Sequence, residues 1–404
     1  MKSNTTKLLI IICSITLFSC SETTSNPINE NFINASKEIK TESDENNKKV
    51  EELGELISSA INDGSAEGYL SKFDLDYFGN KLSNSMGLSG RKRVDFDKGL
   101  KKGISNFPRE IITQVNNGSL YDFVNYRYDT AKNAYFMLFR LFSDENGVNY
   151  HDYRVSMNGD EMMFNDMYIY LTGENISQTM QRLMLAGMPS NKLLAILNPE
   201  KKQDFNKVIK ASRLLRSGQY RDAYNTYSSM TSDMKDEKFV LIMKGQVARM
   251  YDDDLYQKSM KELMAKHPND NTLSFNYIDY YLLKEDYQKS LEAVNNLKSE
   301  TKDDFLEYLI GNINYTKGDL LSAKKNYRYM IENYSDFHTP YFVYMACLAE
   351  NNEYKEIVEV LNKLQSLDYQ KYELSDYLES TEYGVENEFE KFIKSTTYKR
   401  WKKK

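Results

Sequence analysis

The sequence predicts an α+β domain followed by an all-α domain of paired helices. Two observations predict it. Between residues 120 and 171 lie four runs rich in aromatic and β-branched residues, separated by breaks such as SDENG and NG. Beyond residue 200, a pattern of glycine, small residue and aromatic returns at intervals of 33 to 34 residues or twice that. A chain of 404 residues is also too long for one ordinary core, so more than one domain is expected.

The chain opens MKSNTTKLLIIICSITLFSC. Lys2 and Lys7 flank the start of an eleven-residue apolar run, too short to cross a bilayer core of roughly 30 Å as a helix. Residues 1–19 therefore read as a signal peptide. The ending LFSC resembles the lipobox of bacterial lipoproteins, which implies that Cys20 is acylated and anchors the chain in the bacterial cell envelope, at the outer membrane. Residues 20–49 then read as the lipidated cysteine and a flexible tether, because Ser, Thr, Asn, Glu and Lys dominate and few large apolar groups are present. Without residues 1–19 the chain carries 51 basic and 59 acidic residues, a net charge of −8. Outside the last few residues such a balance gives no basic surface for phosphates, so nucleic acid is not expected as a partner. Cys13 leaves with the signal, and Cys347 on an apolar helical run reads as a small core residue.

From Val50 the pattern becomes helical. Val50, Leu53, Leu56, Ile57 and Ile61 recur at helical spacing until Gly64. A short helix follows at 66–72, then FDLDYF at 73–78, then a helical stretch over 95–115 interrupted by Pro108. The strand runs are 120–128, 134–142, 148–157 and 162–171. Helices followed by a strand meander imply helices covering one face of an antiparallel sheet. With FDLDYF, NYHDYRV and NDMYIYLTGE in this order, residues 50–173 resemble the nuclear-transport-factor-two-like fold, a cone of helices on a curved sheet. They look most like such domains in envelope lipoproteins of Bacteroidetes-type bacteria, where a tetratricopeptide array often follows.

Residues 174–203 read as connecting helices. No Pro/Ser-rich linker occurs there, so the two halves are expected to pack together. SGQYRDAYNTY at 217–227 returns as KGDLLSAKKNY at 317–327. The small or apolar positions Ala223, Ser290, Ala323 and Ile357 are 67, 33 and 34 residues apart, which leaves room for one more repeat between the first two. This period is the tetratricopeptide signature. About five repeats are expected within 204–367, with a capping pair to Ser395, and 396–404 as a basic tail. That tail, YKRWKKK, reads as a frayed solvated terminus whose charge could also meet anionic headgroups.

Two kinds of site follow. Asn158-Gly159 predicts a two-residue hairpin that pairs Met157 with Asp160, and therefore His151 with Asp166. A histidine beside a carboxylate among aromatics suits general acid–base work. Isomerases and dehydratases of the resembled fold use such pockets. The alternative function is therefore a small-ligand-binding protein or an isomerase- or hydrolase-type enzyme built on His151 and Asp166. The competing reading is a structural pair, and no enzyme is expected. Asp252, Asp253 and Asp254 lack the spacing of a calcium loop, and His267 and His338 lack a second ligand at i+3 or i+4. No cofactor or metal is expected. Tyr280, Tyr281, Tyr308, Tyr315, Tyr341 and Tyr344 lie on first helices of the repeats, which line the concave groove of tetratricopeptide arrays. They are the expected anchors for a protein or peptide partner.

Overall fold

The computed structural model describes residues 38–144, 147–187, 199–268, 270–380 and 387–403. Cys20 and the signal lie outside the described residues. Two compact units result, one ending at Leu273 and one from Ser274 to Lys404.

Order begins earlier than the tether reading implies. Helix α1 (Asp44–Asn62) starts at Ser43, whose hydroxyl accepts from the Asn46 amide and caps the helix. Upstream, Ile39 is buried, and its amide donates to the Asn133 carbonyl at 2.9 Å. Polar composition hid this attachment, which rests on one apolar residue and backbone hydrogen bonds. Val50, Leu53, Ile57 and Ile61 then bury one stripe of α1. Helices α2 (Ala66–Ser71), α3 (Leu75–Ser85), α4 (Gly90–Ile104) and α5 (Phe107–Asn116) complete the layer. Pro108 does not break a long helix from within. It occupies the first turn of α5, where its missing N–H costs nothing.

The sheet is a five-stranded antiparallel meander in sequence order: β1 (Leu120–Asp129), β2 (Ala134–Ser143), β3 (Gly147–Asn158), β4 (Glu161–Ile169) and β5 (Glu174–Asn175). Alternation puts Tyr121, Tyr135, Met137, Phe139, Tyr153 and Val155 into one core with the helices. The FDLDYF segment joins this core through Phe73, whose ring stacks on Phe164 at 4.8 Å. The opposite sheet face carries ion pairs across the strands, Arg127 to Asp152 and Arg140 to Asp122.

Helix α6 (Ile176–Gly187) follows, and then four antiparallel helices: α7 (Pro199–Arg216), α8 (Tyr220–Ser228), α9 (Lys238–Arg249) and α10 (Asp253–Lys266). The sheet domain packs on α9. Lys238 Nζ donates to the Tyr168 hydroxyl at 2.6 Å, to Asp270 at 2.9 Å and to Thr272 at 3.1 Å. Gly173, with φ of +69°, lies so close that a Cβ there would meet Ile242 Cδ1 at 2.5 Å.

The second unit continues with α11 (Ser274–Leu283), α12 (Tyr287–Thr301), α13 (Glu307–Lys317), α14 (Leu320–Asn333), α15 (Thr339–Glu350) and α16 (Tyr354–Ser366). From α7 to α16 the helices thus form five consecutive pairs. Their first helices bury Ala211, Gly245, Ile278, Gly311 and Met345, and their second helices bury Ala223, Tyr256, Ser290, Ala323 and Ile357. Both series advance by 33 or 34 residues at every step. Four of the five intra-pair turns close alike. Gly218, Glu285, Gly318 and Asn352 take left-handed φ, and the next residue donates its amide to the carbonyl five residues back. The α9–α10 turn differs, because the Asp252 amide returns to Ala248, four residues back. It needs no left-handed residue, so no glycine marks it.

The chain closes with α17 (Lys371–Glu379), α18 (Glu390–Lys394) and α19 (Thr396–Lys403). Thr396–Lys403, expected as a frayed tail, is therefore an ordered helix. Tyr398 and Trp401 are buried in α19, and Tyr398 donates to Glu379 at 2.6 Å. Two aromatics spaced i, i+3 bury enough apolar area to order the helix despite its charge.

Candidate functional site

The β3–β4 register corrects the expected histidine–carboxylate pair. Asn158 faces Glu161, so the turn residues are Gly159 and Asp160, and the pairing moves by two. A bulge at Asn165 adds one more residue, leaving Arg154 opposite Asp166 and His151 opposite Ile169. The two candidate residues do different jobs. Asp166 accepts from Lys81 Nζ at 2.7 Å, from the Ser177 hydroxyl at 2.7 Å and from the Ser177 amide at 3.2 Å. It ties β4 to α3 and to the first turn of α6, where a carboxylate is favoured.

His151 sits inside a chain of hydroxyls. Its Nε2 faces Asn149 Nδ2 at 3.2 Å, and its Nδ1 faces the Tyr121 hydroxyl at 3.2 Å. Asn149 Oδ1 already accepts from the Leu171 amide at 3.0 Å. The amide therefore offers N–H to Nε2, the imidazole proton belongs on Nδ1, and Nδ1–H donates to Tyr121. The Tyr121 hydroxyl lies 2.7 Å from that of Tyr153, to which Tyr69 also donates at 3.1 Å. Burial holds the imidazole neutral, pushing its pKa down to about 4. Burial likewise pushes the phenols of Tyr69, Tyr121 and Tyr153 up. None of these four residues is more than 4% exposed. In this conformation a substrate cannot touch them, and the network satisfies polar groups within an aromatic core. Tyr69, Tyr121 and Asn149 were not singled out in the sequence. For Tyr121 and Asn149 the only signal is strand alternation, which places them on one face with His151, while Tyr69 lies on α2 and carries none.

The six candidate tyrosines of the helix pairs fall into two groups. Tyr341 and Tyr344 are buried where α14, α15 and α16 meet, and Tyr280 is buried on α11. Beside Tyr341 and Tyr344 lies a groove of about 210 Å³, also lined by Arg328, Glu356, Val360 and Lys363. Arg328 donates to the Tyr344 hydroxyl at 2.7 Å and to Glu356 at 2.8 Å. Tyr281, Tyr308 and Tyr315 are half-buried. Tyr281 stands under Lys289, whose Nζ is 5.5 Å from the ring centre. Tyr315 donates to Glu350 at 2.8 Å, and Tyr308 packs edge-on to Phe337 at 5.0 Å. Cys347 is a buried free thiol, with its pKa pushed up to about 12 by burial. Among the described residues no group of three or more His, Cys, Asp or Glu could hold a metal ion, and no helix is long and apolar enough to cross a membrane.

The helical part thus consists of consecutive helix pairs, and the polar cluster around His151 in the α+β domain is enclosed. No family model and no curated protein matches the chain.

Proposed function

We propose that the chain is a lipid-anchored scaffold of the bacterial cell envelope, held at the outer membrane by acylated Cys20. It binds a protein or peptide partner through a tetratricopeptide-type array formed by α7 to α16. The observation that carries this reading is the fivefold recurrence of one buried position on each first helix and one on each second helix. An array of this kind has a repeated surface as its main product, and half-buried aromatics such as Tyr281 and Tyr315 suit it, since they bind with little loss of conformational freedom. The α+β domain, which resembles the nuclear-transport-factor-two-like fold, serves as the membrane-proximal platform. The enclosure of His151 favours this scaffold role over catalysis.

Photocrosslinking in intact cells tests the proposal. A benzophenone side chain at position 281 or 315 should capture one discrete protein, while the same group at Lys325, exposed on a second helix, should not. Equal capture from all three positions, or none from 281 and 315, would contradict it. The anchor is tested separately with a labelled fatty acid. Incorporation into native chain and its loss in Cys20→Ala are expected; label retained by the variant would end the anchor assignment.

A further inference from the structure

We propose that helix α19 is an electrostatic docking surface for an anionic lipid bilayer. Helix α19 buries its aromatic side. Tyr398 and Trp401 face inward with stacked rings at 5.7 Å, and Lys371 Nζ covers the indole at 5.4 Å. Lys402 is held at 2.5 Å by Glu379, which also accepts from Tyr398. At 100° per residue, Lys399, Arg400 and Lys403 then share the opposite face. All three are exposed, as is Lys391 on α18, and among the described residues no ion pair engages any of the four. Four exposed cations thus lie close in sequence near the end of a chain whose net charge is −6.

The chemistry of the stripe selects the partner. It presents point charges on a convex helix, with its aromatic rings turned inward. Nothing is left to stack on bases or to anchor a peptide side chain. A surface of this kind suits a laterally mobile sheet of anionic headgroups, which needs no matching shape. The proposal rests on the reading of the chain as a membrane-anchored protein, but it concerns a second contact remote in sequence from Cys20.

The test compares partition of the full chain onto phosphatidylcholine vesicles with and without phosphatidylglycerol. A lipid anchor or signal segment adds the same background to native chain and variants, so failure of the anchor reading leaves this comparison intact. Each cation near an anionic surface contributes roughly a fivefold factor at low salt, so at least about tenfold preference for the anionic vesicles is expected. Raising the salt to about 1 M, where the screening length shrinks to about 3 Å, should abolish it. The triple variant Lys399→Glu, Arg400→Glu, Lys403→Glu should lose the preference, and Lys325→Glu should keep it. Unchanged circular dichroism would show that the triple variant is folded; if it is not, Lys399→Gln with Lys403→Gln should give an intermediate preference. Equal partition onto both vesicle types by native chain would overturn the proposal. So would a triple variant that retains the preference, or tighter binding to poly-glutamate or nucleic acid than to anionic vesicles.

Discussion

The hydroxyl of Tyr121 lies 2.7 Å from that of Tyr153, with both rings fully enclosed between the sheet and the helices. Because Tyr69 also donates to Tyr153, the Tyr153 oxygen is the acceptor on which two buried hydroxyls depend. Tyr153→Phe should strand both, at about 1–3 kcal/mol for each unsatisfied group. Tyr69→Phe removes only one donor and should cost about 1 kcal/mol. Urea midpoints of the two variants and their double check this, and the double should cost less than the sum of the singles. Additive losses would mean that the hydroxyls do not act as one network.

His151 predicts an acid limb of stability. Its folded pKa, near 4, lies below the ordinary value of 6.5, so the neutral imidazole is the form the fold accepts. The group's contribution is fully present above pH 6.5 and is lost as pH falls through about 4. The loss amounts to roughly 3 kcal/mol at the acid end. His151→Gln, which keeps a polar side chain without titrating, should flatten that part of the curve when melting temperature is measured from pH 7 to pH 4. An unchanged slope would place the histidine in a less enclosed site.

Gly173 limits how closely the sheet domain meets α9. Gly173→Ala brings both a left-handed backbone penalty and a Cβ 2.5 Å from Ile242 Cδ1. A loss of about 1–3 kcal/mol is expected. Adding Ile242→Val removes the clashing methyl and should recover part of the loss, but not the backbone share. Calorimetry on the three chains decides it. No recovery at all would mean that the close approach is absent in solution.

Much of this architecture is legible in the sequence. The four long strands announce themselves by alternation, and their observed bounds differ from expectation by about two residues at most. β5 was missed because two residues carry no period. The His151–Asp166 pair failed for a definite reason. A bulge at Asn165 has no sequence mark, and Asn158-Gly159 fits two adjacent turn positions equally well. The second helix pair was inferred only from a gap in the spacing, since its turn closes without a left-handed residue and Tyr256 replaces the small residue. The Lys81–Asp166 contact joins residues 85 apart, beyond any local pattern. Next to Ala323, Lys324 is held at 2.5 Å by Glu353, while Lys325 is the exposed neighbour.

One helix pair recurs five times from α7 to α16, and Ala323 occupies a fully buried position where a larger side chain should overpack. Thermal unfolding of single variants tests it most directly. Ala323 is fully buried and Lys325 is exposed on the same helix. Ala323→Tyr should lower the midpoint through overpacking worth about 1–3 kcal/mol, and Ala223→Tyr, at the equivalent buried position, should do the same. Lys325→Tyr should leave it within about 0.5 kcal/mol of the native chain. If Ala323→Tyr and Lys325→Tyr melt together, the repeat phase is wrong, and the partner surface assigned from it is wrong as well.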